Sequence, residues 1–125
     1  MKPLFKLQGT VEKGNNRGKA LGFPTLNFPL ASKISEGIYA SRTKINNKLH
    51  NSLTFIGRAI TFDENTFKAE TYVLDFDEDL YGQKIEVDIL KKMRENKKFA
   101  SKDDLIKQMK KDERLAREFF SLQNS

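Results

Sequence analysis

The chain has 125 residues, a formal net charge of +6 and 38% hydrophobic residues, enough for one core and not for two. It contains no cysteine, which excludes disulfides, thiolate catalysis and zinc–cysteine sites, and its single histidine, His50, cannot build a histidine metal cluster. The sequence has no apolar run long enough to cross a membrane, and no apolar leader follows Met1. We therefore predict one cytoplasmic domain over residues 1–125 with no membrane partner.

Alternation of apolar and polar residues predicts strands along most of the chain before residue 91. The predicted strands or extended stretches are Phe5–Val11, Pro24–Asn27, Gly37–Ile45, Leu53–Phe62, Thr66–Phe76 and Lys84–Leu90. A turn at Asn46–Asn47 is expected close to His50, to which we assign no function, and an acidic turn is expected at Asp77–Gly82.

Helical spacing replaces alternation in the last part of the chain. Apolar residues recur four or seven positions apart, at Leu105, Met109, Ala116 and Phe120. Ser101 suits an N-cap, with Asp104 three residues later. We predict a helical tail at about residues 101–121, as one bent helix or two short ones, because Asp112-Glu113 interrupts the apolar face. Strands followed by a terminal helix imply an antiparallel α+β architecture. Five or six short strands around one core suggest a small barrel, and so a mainly β fold, with the helix packed outside it or over one end.

The segment Gly14–Lys19 is rich in glycine and positive charge. Glycines allow backbone N–H groups to approach an anion closely, and Arg17 and Lys19 add cations beside Gly18. The segment is not a Walker loop, since it is one residue short between its glycines and has Ala20 where serine or threonine is required. By itself it is also compatible with a plain turn.

The residues that follow add a pair of oxygen ligands. Pro24 favours an extended chain, and in an extended chain Thr25 and Asn27 point to the same side. A hydroxyl and an amide oxygen on one side can share a hard cation that is bound to phosphate. The combination with the glycine loop favours a site for a metal–nucleotide.

Glu70 is predicted to share a strand face with three large side chains, those of Tyr72, Leu74 and Phe76. A carboxylate in such company is unusual. Either it lies at the rim, solvated or paired with a lysine, or it is partly desolvated and able to accept a proton.

A basic segment, Arg94–Phe99, follows the last predicted strand. Met93 and Phe99 flank it, a composition that could cover a flat aromatic ligand, although such loops are usually only solvated. Because Gly14–Lys19 and Arg94–Phe99 have few apolar anchors, we expect both to be loosely held without ligand.

Taken together, these motifs resemble riboflavin kinases over roughly residues 8–120. The matching segments are Gly9-Thr-Val, Gly14-x-x-Arg-Gly18, Leu21-Gly-Phe-Pro-Thr-x-Asn27, Gly37-Ile-Tyr-Ala, Phe55-Ile-Gly57, Glu70-Thr with Asp75-Phe-Asp-x-Asp-Leu-Tyr-Gly82, and Met93-Arg94 before Lys98-Phe99.

The resemblance implies a six-stranded antiparallel Greek-key barrel with a C-terminal helix. It implies ATP-dependent phosphorylation of the ribityl 5′-hydroxyl of riboflavin, giving FMN and ADP. Glu70 would be the catalytic base, Thr25 and Asn27 would bind Mg²⁺ or another divalent cation, and a basic loop would close over the flavin. The implied nucleotide-binding residues are Gly14, Arg17, Gly18, Lys19, Gly22, Thr25 and Asn27, and the implied flavin-binding residues are Met93, Arg94 and Phe99.

Three positions depart from the family pattern. Leu26 replaces an alanine, which is tolerable if it faces the core, Tyr72 replaces a frequent histidine, and Arg58–Phe62 lacks a proline and is one residue longer. Bacterial relatives often carry an N-terminal adenylyltransferase, which nothing in this sequence matches, so we expect either a single-activity kinase or an excised C-terminal domain.

Two other functions stay open from the residues alone. One is a basic barrel that binds single-stranded nucleic acid through exposed aromatic side chains. The other is a flavin-binding sensor without turnover. The cations do not alternate with aromatic residues along the strands, so we do not expect nucleic acid as a partner, and we expect a monomer.

Overall fold

The computed structural model describes residues 2–13, 19, 22–30, 34–58, 67–76 and 78–123. These residues form six strands and one helix. In chain order they are β1 (Phe5–Thr10), β2 (Leu26–Pro29), β3 (Gly37–Ile45), β4 (Lys48–Gly57), β5 (Lys68–Val73), β6 (Lys84–Arg94) and α1 (Lys102–Gln123).

All neighbouring strands pair antiparallel in one sheet, in the order β1-β6-β3-β4-β5-β2. The two edges approach each other where the Glu12 N–H donates to the Asn27 carbonyl at 2.7 Å. The sheet is therefore a nearly closed barrel, which confirms the predicted mainly β fold of six antiparallel strands with a C-terminal helix.

Two apolar clusters lie on the two faces of the sheet. The interior cluster fills the barrel, and the helix-side cluster lies between the outer face and α1. The interior cluster contains Val11, Leu26, Phe28, Tyr39, Ile45, Ile56, Ala69, Val73, Leu80, Ile85, Val87 and Ile89. The helix-side cluster contains Ile38, Ala40, Leu53, Leu74, Leu90, Ala116 and Phe120. Leu26 thus faces the core, as its replacement of alanine requires.

A chain of buried hydroxyls crosses the interior of β3, β4 and β5. Four hydrogen bonds of 2.7–3.0 Å link its members in the order Thr43, Ser52, Ser41, Thr54 and Thr71. All five residues are fully buried. Each hydroxyl has a partner, so the polar groups do not carry the cost of an unsatisfied buried donor.

The predicted boundaries of β3 are confirmed, and those of β4 are wrong at the start. The strand begins at Lys48, five residues before Leu53, because Asn46 and Asn47 both adopt left-handed conformations, with φ of 50° and 65°. This tight turn allows pairing to resume at once. The predicted end of the strand at Phe62 lies outside the described residues.

The strand β5 is shorter than predicted and β6 is longer. Asp75 has a φ of 58°, so the extended chain ends at Val73. As a result Phe76 leaves the face of Glu70 and packs against the interior cluster, with its ring 5.2 Å from that of His50. Only Tyr72 and Leu74 stay on the helix side, which corrects the predicted face.

The helical tail is one helix of 22 residues, and it begins at the predicted cap. The Asp104 N–H donates to the Ser101 hydroxyl at 3.1 Å. Asp112-Glu113 does not break the helix, because Arg94 and Tyr72 of the sheet pair with these carboxylates. No helix within the described ranges is both long enough and apolar enough to span a membrane.

Gly9 occupies the place where β1 passes β2. A Cβ added at Gly9 would lie 2.7 Å from Cδ2 and 3.0 Å from Cγ of Phe28, a residue that is 1% exposed. We therefore expect Gly9→Ala to lower the free energy of unfolding by about 1–3 kcal/mol, the usual cost of overpacking, as measured by urea denaturation. Adding Phe28→Leu should recover part of the loss, whereas purely additive effects would contradict the predicted clash.

Candidate active site

One row of paired residues runs across the outer face of the sheet. The register places Asn27 opposite Glu70, Glu70 opposite Phe55, Phe55 opposite Ile38, and Ile38 opposite Arg94. Directly opposite residues in antiparallel strands share a face. The row therefore joins a polar end at β2 and β5, an apolar centre and a cationic end at β6.

Asn27 is aimed outward because its neighbours Leu26 and Phe28 belong to the interior cluster. Its amide nitrogen donates to the Thr25 carbonyl at 3.3 Å. Its amide oxygen is buried and has no hydrogen-bond partner in the part of the chain that the structure describes. A buried acceptor without a partner carries a desolvation cost, so this oxygen is suited to a cation or a donor that arrives with a ligand.

The chain before Asn27 is anchored on the same side of the sheet. Phe23 is 6% exposed, and its ring meets that of Tyr72 edge to face, with centroids 5.3 Å apart. Thr25 is half-buried between this anchor and β2. The Thr25 carbonyl thus lies within hydrogen-bond distance of the Asn27 amide nitrogen, and the predicted pairing of the Thr25 hydroxyl with the Asn27 amide oxygen stays a prediction.

The Glu70 carboxylate is largely withdrawn from solvent. Its side chain is 21% exposed, and the Lys68 ammonium lies 3.9 Å from it. Glu70 therefore combines features of both alternatives that were predicted from the sequence. Its carboxylate has a lysine neighbour, and the carboxylate is also mostly withdrawn from solvent. Because Glu70 lies directly opposite Asn27, its side chain is on the same face of the sheet as the Asn27 amide oxygen.

Tyr72 links this face to the helix. Its hydroxyl donates to the Glu113 carboxylate at 3.1 Å. Burial, and next the negative charge of Glu113, raise the pKa of Tyr72 above its usual value, so the phenol stays protonated. Glu113 is not among the site residues predicted from the sequence, although its position in the break of the apolar helix face was a signal.

Arg94 is engaged by the helix. Its guanidinium donates to both oxygens of the buried Asp112 at 2.8–3.0 Å. Met93 packs against the helix-side cluster, and Phe99 is half-buried with the Arg94 and Lys97 cations 5.6 and 5.2 Å from its ring centre. Arg94–Phe99 thus has more anchoring contacts than its composition predicts. Asp112, like Glu113, is not among the site residues predicted from the sequence.

The predicted nucleotide loop is described only in part. Lys19 and Gly22 are exposed, and Gly22 has a φ of 92°, a conformation that favours glycine. The predicted ligands Gly14, Arg17 and Gly18 lie outside the described residues.

The donor set at the polar end fits a magnesium ion that arrives with phosphate. The described residues contain no group of three or more His, Cys, Asp or Glu side chains that could hold a metal. Magnesium usually keeps few protein ligands and takes most of the others from water and substrate phosphates. The Asn27 amide oxygen, which has no partner within the described ranges, and the Thr25 hydroxyl are both oxygens of the hard type that such an ion takes.

Several curated bacterial proteins are similar to this chain. It is 37% identical over 122 residues to the trifunctional protein RibF/MnmA of Mycoplasmoides gallisepticum, covering 95% of this chain and 19% of that protein. It is 36% identical over 123 residues to the bifunctional riboflavin kinase/FMN adenylyltransferase of Listeria monocytogenes, covering 94% and 38%. It is 40% identical over 108 residues to the RNA-binding riboflavin kinase RibR of Bacillus subtilis, covering 85% and 47%. The chain therefore spans less than half the length of each.

Two crystal structures share the fold. One, described as a macrolide-efflux protein from Streptococcus pneumoniae, has a TM-score of 0.80 and 33% identity, covering 92% of this chain and 38% of that one. The other, riboflavin kinase from Trypanosoma brucei, has a TM-score of 0.65 and 22% identity, covering 97% and 82%. A family model described as Flavokinase, riboflavin kinase, matches residues 1–120. The chain belongs to the riboflavin kinase family.

Proposed function

We propose that this chain transfers the γ-phosphate of ATP to the 5′-hydroxyl of riboflavin, giving FMN and ADP. The observation that carries the proposal is the pairing of Asn27, whose buried oxygen lacks a partner among the described residues, with the largely buried carboxylate of Glu70. A cation ligand and a candidate base thus stand side by side on one face.

The spacing of these two residues suits phosphoryl transfer to a hydroxyl. Directly opposite residues in antiparallel strands have Cβ atoms about 4.5–5.5 Å apart. A phosphate held near Thr25 and Asn27 and a hydroxyl held at Glu70 would therefore be neighbours. Phosphoryl transfer asks a protein mainly for this kind of positioning and for neutralisation of charge.

The apolar centre of the row suits a flat aromatic acceptor. The half-buried Phe55 lies between Glu70 and Arg94, beside Ile38, which is buried in the helix-side cluster. With adjacent strands about 4.8 Å apart, the surface between Glu70 and Arg94 spans roughly 14 Å, which is long enough for a fused ring system. The ribityl chain would then extend from the ring toward the Glu70 carboxylate.

In the proposed reaction, Glu70 orients the 5′-hydroxyl and accepts its proton as the oxygen attacks the γ-phosphorus. The bond between the γ-phosphorus and its bridging oxygen breaks, and the electron pair leaves with ADP. Thr25 and Asn27 would hold Mg²⁺, which supplies neutralisation of the phosphate charge. Lys19 and the predicted ligands Gly14, Arg17 and Gly18 would bind the phosphates directly.

The nucleic-acid alternative has less support. The outer surface of α1 mixes cations with acids, for example Lys107, Lys111 and Arg114 with Asp103 and Glu118. Such a surface lacks the continuous basic stripe that tracks a phosphate backbone. The predicted monomeric state stays a prediction.

Chromatographic analysis of products tests the proposal. Purified protein incubated with riboflavin, ATP and Mg²⁺ should form FMN, and chelation of the metal should abolish the reaction. With FMN and ATP as substrates it should form no FAD. Absence of FMN across a range of divalent cations and nucleoside triphosphates would contradict the proposed function.

A further inference from the structure

Asp112 is a buried carboxylate in the middle of α1. It is 4% exposed, and it accepts hydrogen bonds from Nε and Nη2 of Arg94 and, at 2.9 Å, from Nε2 of Gln108. A charged group is rarely buried unless it is paired. The planar guanidinium and the carboxylate here form a two-pronged contact, which fixes orientation as well as distance.

The same arginine contacts the β6–α1 loop, residues 95–101. Its Nη1 donates to the Glu95 carbonyl at 3.0 Å, and its guanidinium carbon lies 5.6 Å from the centre of the Phe99 ring. Arg94 therefore joins the helix to both the start and the later part of the loop. A change in the position of its guanidinium would be passed to the loop.

A further contact shows that the β6–α1 loop runs toward β4. The Asn96 amide donates to the Arg58 carbonyl at 3.1 Å, immediately after β4. In the sheet, β3 lies between β6 and β4. The loop consequently crosses the start of β3, next to Ile38 and Phe55 at the apolar centre of the candidate active site.

We propose that Asp112 is a positioning residue for the flavin acceptor. By orienting Arg94, it sets the β6–α1 loop at the apolar end of the site, where the ring system of the substrate would lie. This inference rests on the proposed function and adds to it a residue of α1 that touches no substrate. Arg94 is then the intermediary between the helix and the loop.

The test compares Asp112→Asn with the double variant Arg94→Gln/Asp112→Asn, which avoids leaving one buried charge unpaired. For both, we expect the riboflavin KM to rise by about tenfold or more, while kcat and the ATP KM stay within about threefold of wild type. Amide exchange in residues 95–101 of the ligand-free protein should become faster. The double variant also removes the contacts of Arg94 with Glu95 and Phe99, so its riboflavin KM should rise at least as much as that of the single variant.

Asp75→Asn is the matched control. Asp75 also pairs with an arginine of α1 through two hydrogen bonds, at 2.9 and 3.1 Å from Arg117, but Arg117 does not contact the β6–α1 loop in any of these bonds. The Asp75→Asn variant should leave the riboflavin KM unchanged. An unchanged riboflavin KM in folded Asp112→Asn and in the double variant would overturn the inference, as would equal losses for both substrates.

The inference and the proposed function can fail separately. Quenching of riboflavin fluorescence reports binding without turnover, so the effect of Asp112→Asn on riboflavin affinity is measurable even in a protein that forms no FMN. Failure of wild type to form FMN would contradict the proposed function. Equal riboflavin affinity of wild type and both variants would contradict the positioning role.

Discussion

Glu70→Gln is expected to lower kcat for FMN formation by roughly two or more orders of magnitude, the range lost with a general base. Glutamine keeps the size and hydrogen-bonding capacity of the side chain but cannot accept the proton. Riboflavin affinity should change much less, because the apolar centre at Ile38 and Phe55 would provide most of the contact with the ring. Steady-state kinetics and a riboflavin binding titration measure the two effects.

Glu86→Gln is the control for this substitution. Glu86 lies on the exposed face of β6, and its variant should be near wild type in kcat. If the two variants form FMN equally fast, Glu70 is a rim carboxylate paired with Lys68, and the proposed role in proton transfer is wrong.

Thr25→Val and Asn27→Ala are each expected to reduce kcat/KM for the magnesium–nucleotide by at least about tenfold, which corresponds to about 1.4 kcal/mol of transition-state stabilisation. The first keeps the shape of the side chain and removes the hydroxyl. The second removes the amide oxygen that is buried without a partner. Kinetics at varied magnesium–ATP concentration provide the measurement.

The effect of Asn27→Ala on stability separates a binding role from a structural one. The oxygen has no partner among the residues that the structure describes, so its removal relieves a desolvation cost, which offsets the loss of the 3.3 Å hydrogen bond from the Asn27 amide nitrogen to the Thr25 carbonyl. The free energy of unfolding should therefore stay within about 1 kcal/mol of wild type. Thr10→Val, at an exposed position of β1, is the control for the loss of a hydroxyl. Wild-type kinetics in folded Thr25→Val and Asn27→Ala would remove both residues from the site.

The elements that could be predicted from the sequence are those with a strong local pattern. β3 has its predicted boundaries, and Ile85, Val87 and Ile89 of β6 face the interior as alternation predicts. The Ser101 cap was readable because the cap and its partner are three residues apart. Local patterns failed where backbone conformation decides, as at Asp75, whose positive φ turns Phe76 away from the helix side.

The assembly of the site depended on long-range pairing. Thr25 and Asn27 were predicted as a pair because they are two residues apart. Their juxtaposition with Glu70 follows from the register of β2 and β5, which no local spacing contains. The contact of Arg94 with Asp112 joins residues 18 positions apart. The sequence signal for this contact was the break in the apolar face of α1, because a carboxylate on a buried helix face requires a buried partner.

Paramagnetic NMR with Mn²⁺–ADP in place of the magnesium–nucleotide is the most direct test of where the chemistry takes place. Together with riboflavin, it should broaden the amide signals of residues 25–27 and 69–71 more than those of residues 48–51, at the start of β4, and of residues 74–75, just after β5. Broadening centred on the acidic turn at residues 78–82, or near the pair of Asp75 and Arg117, would contradict a nucleotide site beside Glu70.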